Sequence, residues 1–441
     1  MPLSIIILAA GQGTRMRSSL PKVLQPLAGR PLLSHVVATA HELAADDVCV
    51  VYGHGGEVVP EAIGDDSLRW ALQAEQLGTG HAVQQAMPET PDGNQVLILF
   101  GDVPLLTVDT LSRLLAETGP DELAVLGVDL DDPTGYGRIL REGDGVVGIV
   151  EQKDADEAQQ AIREINTGVM VCPAARLRTW LDNLGNDNAQ GEYYLTDVVA
   201  MAVAEGVAVQ GVKANNWTEV MGINDKKQLA EAERALQTRL VEELMVAGVG
   251  FADPARVDIR GKLECGQDVF IDVNAVFEGE VHLGDGVRVK PNNLVRDSRL
   301  GAGTIVRSNC HIEGATTGDN CVIGPFARLR PGAELASNVR IGNFVEVKKS
   351  TIADGSKVNH LTYIGDAEIG TGVNVGAGTI TCNYDGANKH KTTIGNDVFI
   401  GSGVELVAPV RIGAGATIGA GSTITKTAPD GELTIGRSKQ V

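Results

Sequence analysis

The chain has 441 residues, 43% of them hydrophobic, and a formal net charge of −20 at pH 7. That length predicts two or three domains, and that charge excludes a general nucleic-acid binder, which needs a basic face. No apolar run reaches the ~20 residues that span a bilayer, so no membrane insertion is expected. The N-terminus lacks the basic region of a signal peptide. Cys49, Cys172, Cys265, Cys310, Cys321 and Cys382 show no C-x-x-C spacing, so free thiols in a reducing cytoplasm are expected and a zinc site is not.

The run Ile5-Ile6-Ile7-Leu8 reads as a buried strand that breaks into Ala9-Ala10-Gly11-Gln12-Gly13-Thr14-Arg15-Met16, with Pro21-Lys22 following. Two glycines after a strand let backbone N–H groups approach an anion, and a nearby cation adds charge. The string is neither a Walker A loop nor a dinucleotide fingerprint. It lacks Gly-Lys-Ser/Thr, and Met16 holds the third glycine position. On Gly-x-Gly alone, an ordinary strand-to-helix turn reads equally well.

Next, Leu32–Leu43 is predicted as a helix with Leu32, Val36, Val37, Ala40 and Leu43 on one face, and Val48–Tyr52 and Val96–Phe100 as short buried strands. This alternation predicts βαβ units and a mostly parallel sheet. Ligands of such sheets sit at the carboxyl ends of the strands, so Gly11 and Asp102, each just after a strand, are placed to share one crevice. Asp102, in Phe100-Gly101-Asp102, is the natural first oxygen ligand for Mg²⁺, and Asn224, in Gly222-Ile223-Asn224-Asp225, a second. Asp102 is also able simply to cap a turn. Gln73 and the run Gln76-Leu77-Gly78-Thr79-Gly80-His81 offer amides and backbone groups to a base or ribose. Gly137, Glu151 and Asn166 stand in segments that look like sugar-reading loops. Residues 227–247 read as a connecting helix with Leu229, Leu236, Leu240 and Leu244 on a stripe.

From about residue 262 the pattern changes to aliphatic-Gly pairs at six-residue steps, as in Ile323-Gly324, Ile341-Gly342, Ile394-Gly395, Ile400-Gly401, Ile412-Gly413 and Ile418-Gly419. Such a period predicts a solenoid whose inward aliphatics stack on their copies. The phase slips near Thr351–Val358 and between Ile380 and Ile394, where Thr381–Lys391 forms an insertion expected to leave the coil as a functional loop. Arg330 and Lys348 are eighteen residues apart, one coil, and so stack into a cationic ladder suited to phosphate. His360 lies in the neighbouring repeats. It is either structural or a near-neutral base able to deprotonate an amine.

The string L-A-A-G-x-G-T-R-M-x5-P-K from Leu8 to Lys22 resembles the signature of sugar-nucleotide pyrophosphorylases, and the six-residue repeats resemble the hexapeptide class. Together with Gln73–His81, Gly191-Glu192-Tyr193-Tyr194 and Gly376–Gly386, they resemble, over essentially the whole chain, the bifunctional bacterial N-acetylglucosamine-1-phosphate uridyltransferase / glucosamine-1-phosphate acetyltransferase family. The resemblance implies an α/β plus all-β protein. A Rossmann-like nucleotidyltransferase domain covers 1–226, a linker helix 227–247, and a left-handed parallel β-helix acetyltransferase domain 248–441.

The implied activity is acetyl transfer from acetyl-CoA to glucosamine 1-phosphate, then uridyl transfer from UTP to N-acetylglucosamine 1-phosphate with release of pyrophosphate. The implied uridyl site comprises Leu8, Ala9, Ala10, Gly11, Gly13, Arg15, Lys22, Gln73, Gly78, Thr79, Phe100, Gly101, Asp102, Gly137, Glu151, Asn166 and Asn224, with Mg²⁺ on Asp102 and Asn224. Arg330, Lys348, Tyr363, Asn374 and Lys389 would bind the amino-sugar phosphate, with His360 as base. Ala377, Asn383, Tyr384, Ser402, Ala420 and Arg437 would contact acetyl-CoA. A homotrimer with active sites between prisms is also implied. Many family members carry a longer basic tail near the coenzyme than Arg437-Ser438-Lys439-Gln440-Val441, so the acetyl-CoA contacts are where a departure is expected. The rival expectation, a monofunctional pyrophosphorylase on a structural β-helix, is opposed by the intact His360, Arg330 and Lys348.

Overall fold

The computed structural model describes residues 2–143 and 145–438. It divides into two compact units, Met1–Ala235 and Leu236–Val441.

In the first unit, strand Leu3–Leu8 is buried along its whole length. Its neighbours Asp47–Tyr52 and Gln95–Phe100 both run parallel to it, with Ile6 opposite Cys49 on one side and Ile98 on the other. A continuous aliphatic run suits a strand covered on both faces. Helix Leu32–Glu42 covers one face with Leu32, Leu33, Val36, Val37 and Ala40 buried. Leu43 caps the end of that helix and, half-buried, packs against the same core, and Leu33 joins the buried face.

Among the described residues the sheet has nine strands. Its main path runs Val209–Lys213, Leu123–Asp129, Glu164–Pro173, Gln95–Phe100, Leu3–Leu8, Asp47–Tyr52 and Arg69–Leu72. The chain winds outward from Leu3–Leu8 to Arg69–Leu72 and then returns to the other side of Leu3–Leu8. The order therefore reverses between Leu3–Leu8 and Gln95–Phe100, and a crevice opens outside their carboxyl ends. The expectation of a mostly parallel sheet needs one correction. Glu164–Pro173 runs antiparallel to both Gln95–Phe100 and Leu123–Asp129. The chain leaves Leu123–Asp129 through the hairpin Arg138–Glu142/Gly145–Val150, and a connection without a crossover helix brings it back in the opposite sense.

Helix Lys226–Val246 is capped by Asp225, whose Oδ1 accepts the N–H of Lys227 at 2.9 Å and of Gln228 at 2.8 Å. The division between the two units falls inside this helix. Beyond it, buried Gln237 takes both backbone bonds of Ile259, donating to its O at 2.8 Å and accepting its N–H at 2.7 Å.

The second unit is a parallel β-helix of 25 short strands among the described residues, which pair with their copies one coil on until the last coil. Ile259, Phe277, Val295, Ile312, Leu329, Val347 and Ile364 stack in one inward column, each at most 2% exposed. Each such side chain contributes about 1.5–3 kcal/mol by burial, so the column holds the coil together. Coiling starts before residue 262: Gly250–Phe251 already pairs with Phe270–Ile271, and Val257–Cys265 with Ala275–Leu283. These first coils use longer strands and few aliphatic-Gly pairs, which hid them. The phase slips are real shifts of register, since Ile341 pairs with Val358, and Ile369 with Ile394. The second accommodates a small hairpin in which Tyr384 bridges Lys389. Asp385 organises it, accepting the N–H of Ala387 at 2.9 Å and of Asn388 at 2.6 Å.

Candidate active sites

In the first unit, Gly101 N–H donates to Leu8 O at 2.9 Å and Ile223 N–H to Asp102 O at 2.9 Å. These bonds set Asp102 between the glycine loop and Gly222–Asn224. Lys22 Nζ forms an ion pair with Asp102 Oδ2 and donates to Asn224 Oδ1 at 3.2 Å. Gln228 Oε1 accepts the Asn224 N–H at 2.8 Å, while Asn224 Nδ2 faces Gly222 O at 3.4 Å, which turns Oδ1 toward the ammonium. A carboxylate oxygen and an amide oxygen thus converge on one positive charge. That donor set is hard and oxygen-only, the kind a Mg²⁺ completes with phosphates and water.

The cleft beside them measures about 230 Å³. Leu8, Ala9, Ala10, Gly11, Lys22, Gln73, Gly78, Thr79, Phe100 and Asp102 line it, together with Gln76 and Glu192. Arg15 lies exposed on the short turn Thr14–Met16 and does not line the cleft. Gly11 has open space where a Cβ would be, so sterics do not demand glycine there. Gly13 is different: its φ is +60°, and a Cβ would stand 2.5 Å from Lys22 Cβ. Gly13→Ala is therefore expected to displace Lys22; if this cleft is the uridyl site that the resemblance implies, uridyl transfer should fall by roughly 10²-fold, the scale of a misplaced group, with acetyl transfer, measured in parallel, unchanged.

Gln73 is 3% exposed, and its Nε2 donates to Gly78 O at 3.1 Å, so it shapes the Gln76–Thr79 loop. Gly78 has a φ of +115° and packs so closely that a Cβ would lie 2.6 Å from Tyr193 O. Tyr193 N–H donates to Leu77 O and Gly80 N–H to Tyr193 O, both at 2.8 Å. The Gly191–Tyr194 motif is thus a backbone staple for this loop, and it carries Glu192 into the cleft. The residues expected to read the sugar also meet. Asn166 N–H donates to Gly137 O at 2.8 Å, and a Cβ on Gly137 would lie 3.3 Å from Glu151 Oε2. Burial pushes the Glu151 carboxyl up, against the hydrogen bond from Thr196. Burial also raises the phenol of adjacent Tyr136, with a smaller push from the Asp102 charge, so this patch adjoins Asp102.

In the second unit, Leu329 is in register with Val347, which places Arg330 and Lys348 side by side one coil apart. Arg330 Nη1 pairs with Glu346 Oε1 at 2.8 Å. Lys389, from the insertion hairpin, meets Lys348, and the hydrogen bond and charge of that second ammonium hold Lys389 below the usual lysine range. Asn383 Nδ2 donates to Asp366 and faces Tyr363 Oη at 3.5 Å. Arg330, Lys348, Tyr363, Asn383 and Lys389 are therefore one cluster. His360 is not in it. It lines a separate groove of about 190 Å³ with Arg307, Arg340, Asn343 and Asn359. Asn374 pairs with Lys357 and Phe399 on adjoining coils.

The residues expected at acetyl-CoA form a rail along one corner. Gly403 N–H donates to Ala377 O at 2.7 Å, and Gly421 N–H to Ser402 O at 2.8 Å. Arg437 Nη1 reaches Ala420 O at 2.6 Å and closes the rail. Gly376 and Gly401 permit the stacking: Cβ atoms there would lie 2.6 Å from Ser402 N and 2.5 Å from Ala420 N. Tyr384 is 61% exposed on the hairpin. Of the C-terminal residues named from the sequence, Lys439, Gln440 and Val441 lie outside the described residues.

These two sites define a class, a nucleoside-triphosphate transferase joined to a hexapeptide-repeat transferase. Residues 5–186 match the MobA-like NTP transferase domain, and residues 314–349 and 391–426 match the bacterial transferase hexapeptide (six repeats). Over its full length the chain is similar to proteins called Bifunctional protein GlmU. Identity is 61% over 440 residues to that of Azoarcus sp. (strain BH72) and 60% over 440 to that of Aromatoleum aromaticum. It is 57% over 439 to that of Herminiimonas arsenicoxydans, and each match covers 100% of this chain and 97% of the relative. The chain belongs to the GlmU family of bifunctional proteins. It is an enzyme of two transfers, acetyl transfer to glucosamine 1-phosphate and uridyl transfer to N-acetylglucosamine 1-phosphate, which together make UDP-N-acetylglucosamine.

Proposed function

We propose that uridyl transfer occurs at the switch-point cleft and acetyl transfer at the cationic cluster of the β-helix, with acetylation first. The convergence of Lys22, Asp102 and Asn224 beside the glycine loop carries this assignment. In the uridyl step a phosphate oxygen of N-acetylglucosamine 1-phosphate attacks the α-phosphorus of UTP, and the bond to the departing pyrophosphate breaks. Lys22 balances phosphate charge, and the Gly11–Gly13 loop offers backbone N–H groups. The Gln73–Thr79 loop orients the nucleotide, while Gly137, Glu151 and Asn166 hydrogen-bond the sugar. Asp102 and Asn224 would hold Mg²⁺, which when bound supplies further charge neutralisation at the phosphates.

In the acetyl step Arg330, Lys348 and Lys389 hold the sugar phosphate. Two ammonium groups that disfavour one another are relieved by an anion between them, which supports a phosphate there. His360 takes a proton from the amine, whose nitrogen attacks the thioester carbonyl. The C–N bond forms, the C–S bond breaks, and the coenzyme leaves as thiolate along the Ala377–Ser402–Ala420 rail.

Within one chain His360 and the cations line different grooves, so a threefold trimer with sites between prisms is part of this proposal. An apolar ladder beside His360 supports it. Phe326, Phe344 and Leu361 are 50%, 57% and 62% exposed, and the two rings stack with centroids 5.3 Å apart. A contiguous exposed apolar patch of this kind marks an interface. Phe344→Asp is expected to sediment as monomer, lose acetyl transfer and keep uridyl transfer; a fully active trimer would refute this. A cytoplasmic setting belongs to the same reading, supported by six free cysteines. Reconstitution tests the whole. Glucosamine 1-phosphate, acetyl-CoA, UTP and Mg²⁺ should together yield UDP-N-acetylglucosamine. Omitting any one should stop it, and N-acetylglucosamine 1-phosphate should replace the first two.

A further inference from the structure

We infer that Asn343 is a positioning residue for acetyl transfer, holding His360 in the tautomer whose Nε2 is free to accept the amine proton. This rests on the reading of His360 as the base. Strands Arg340–Lys348 and Lys357–Gly365 pair in parallel with Asn343 directly opposite His360. The register there is pinned, because the backbones touch: a Cβ on Gly342 would lie 2.0 Å from Asn359 O. Both strands turn at the next residue, Phe344 with a φ of 56° and Leu361 with a φ of 49°, so the two side chains leave their coils at the same point. His360 O accepts the Gly378 N–H at 3.2 Å and the Thr362 hydroxyl at 2.7 Å, which fixes the backbone under the ring. On that footing His360 Nδ1 lies 3.0 Å from Asn343 Oδ1.

The chemistry selects one arrangement of this pair. A neutral imidazole has one N–H and one lone pair. An amide oxygen only accepts, so Nδ1 carries the hydrogen and Nε2 keeps the lone pair. The reversed amide would donate to Nδ1, put the hydrogen on Nε2 and leave no nitrogen able to take a proton. When Nε2 is protonated, the Nδ1–H bond to Asn343 becomes charge-assisted and strengthens. The contact is therefore stronger as the reaction proceeds, which is what accelerates a step. Among the described residues, the charged groups lining the groove are Arg307 and Arg340, and no carboxylate lines it. A neutral amide orients the ring without adding a charge to that groove.

The test is the pH–rate profile of acetyl transfer for the full-length wild type, Asn343→Ala, Asn343→Asp and His360→Ala, with uridyl transfer and trimer state as controls. Asn343→Ala should lower kcat by roughly 10–100-fold, the scale of a lost orienting partner, with KM for glucosamine 1-phosphate unchanged. Asn343→Asp should recover most of kcat but move the acid limb to higher pH, because a carboxylate favours the protonated ring. A merely structural role would move trimer content or KM and leave that limb in place. If the alanine variant fails to fold, the near-isosteric aspartate variant carries the test. An inactive His360→Ala beside a wild-type kcat in Asn343→Ala, or an unmoved limb in Asn343→Asp, overturns the inference alone. An active His360→Ala overturns the base assignment beneath it.

Discussion

Asp102→Ala is expected to abolish uridyl transfer while acetyl transfer continues at the wild-type rate. The side chain stands at the end of a central strand, at the point where strand order reverses, with its backbone tied to Ile223 at 2.9 Å. It is 18% exposed and Lys22 12%, so the pair is largely withdrawn from water and its charges are not interchangeable with solvent. Removing the carboxylate leaves Lys22 with only the neutral Asn224 oxygen and removes the sole anionic member of the proposed Mg²⁺ donor pair. Several kcal/mol of charge stabilisation go with it, a loss of about 10³-fold or more. Pyrophosphate release from UTP and N-acetylglucosamine 1-phosphate measures the effect, and normal Mg²⁺-dependent release would refute the assignment.

His360→Ala has the second large effect, on the other activity. The amine of glucosamine 1-phosphate is mostly protonated near neutrality and needs a base before it attacks a thioester. Lys348 and Lys349 are ordinary cationic side chains, Lys389 is engaged with Lys348 in the proposed phosphate-binding cluster, and Arg330 never gives up its proton under these conditions. His360, exposed in its groove and anchored through Nδ1, is the group of suitable basicity. Its loss is expected to cost on the order of 10²–10⁴ in acetyl transfer. Uridyl transfer of pre-acetylated sugar phosphate should be unaffected. A folded trimer that acetylates normally across pH would exclude His360 as the base.

Much of this was legible in the chain because it is local or periodic. The glycine loop follows its strand directly, and Asp102 follows another. Arg330 and Lys348 stack because eighteen residues make a coil there, which is arithmetic on the repeat. What was not legible depends on pairing across long separations. Lys22 meets Asp102 across 80 residues and Asn224 across 202. Glu192 enters the cleft only because Tyr193 is stapled to Leu77 and Gly80. The reversed strand Glu164–Pro173 follows from a hairpin whose turn looks like any other loop, and the first coils lack the aliphatic-Gly signature. Asn343 has no motif of its own. It acquires a role only through the seventeen-residue register that sets it opposite His360.

The proposed arrangement puts two independent transfer sites on one chain, linked only by a diffusing sugar phosphate. Mixing separately purified Asp102→Ala and His360→Ala proteins with glucosamine 1-phosphate, acetyl-CoA, UTP and Mg²⁺ tests it most directly. Each variant alone should form no UDP-N-acetylglucosamine, and the mixture should form it after a lag while the acetylated intermediate accumulates. A silent mixture of folded proteins, or product from either variant alone, would refute two independent sites.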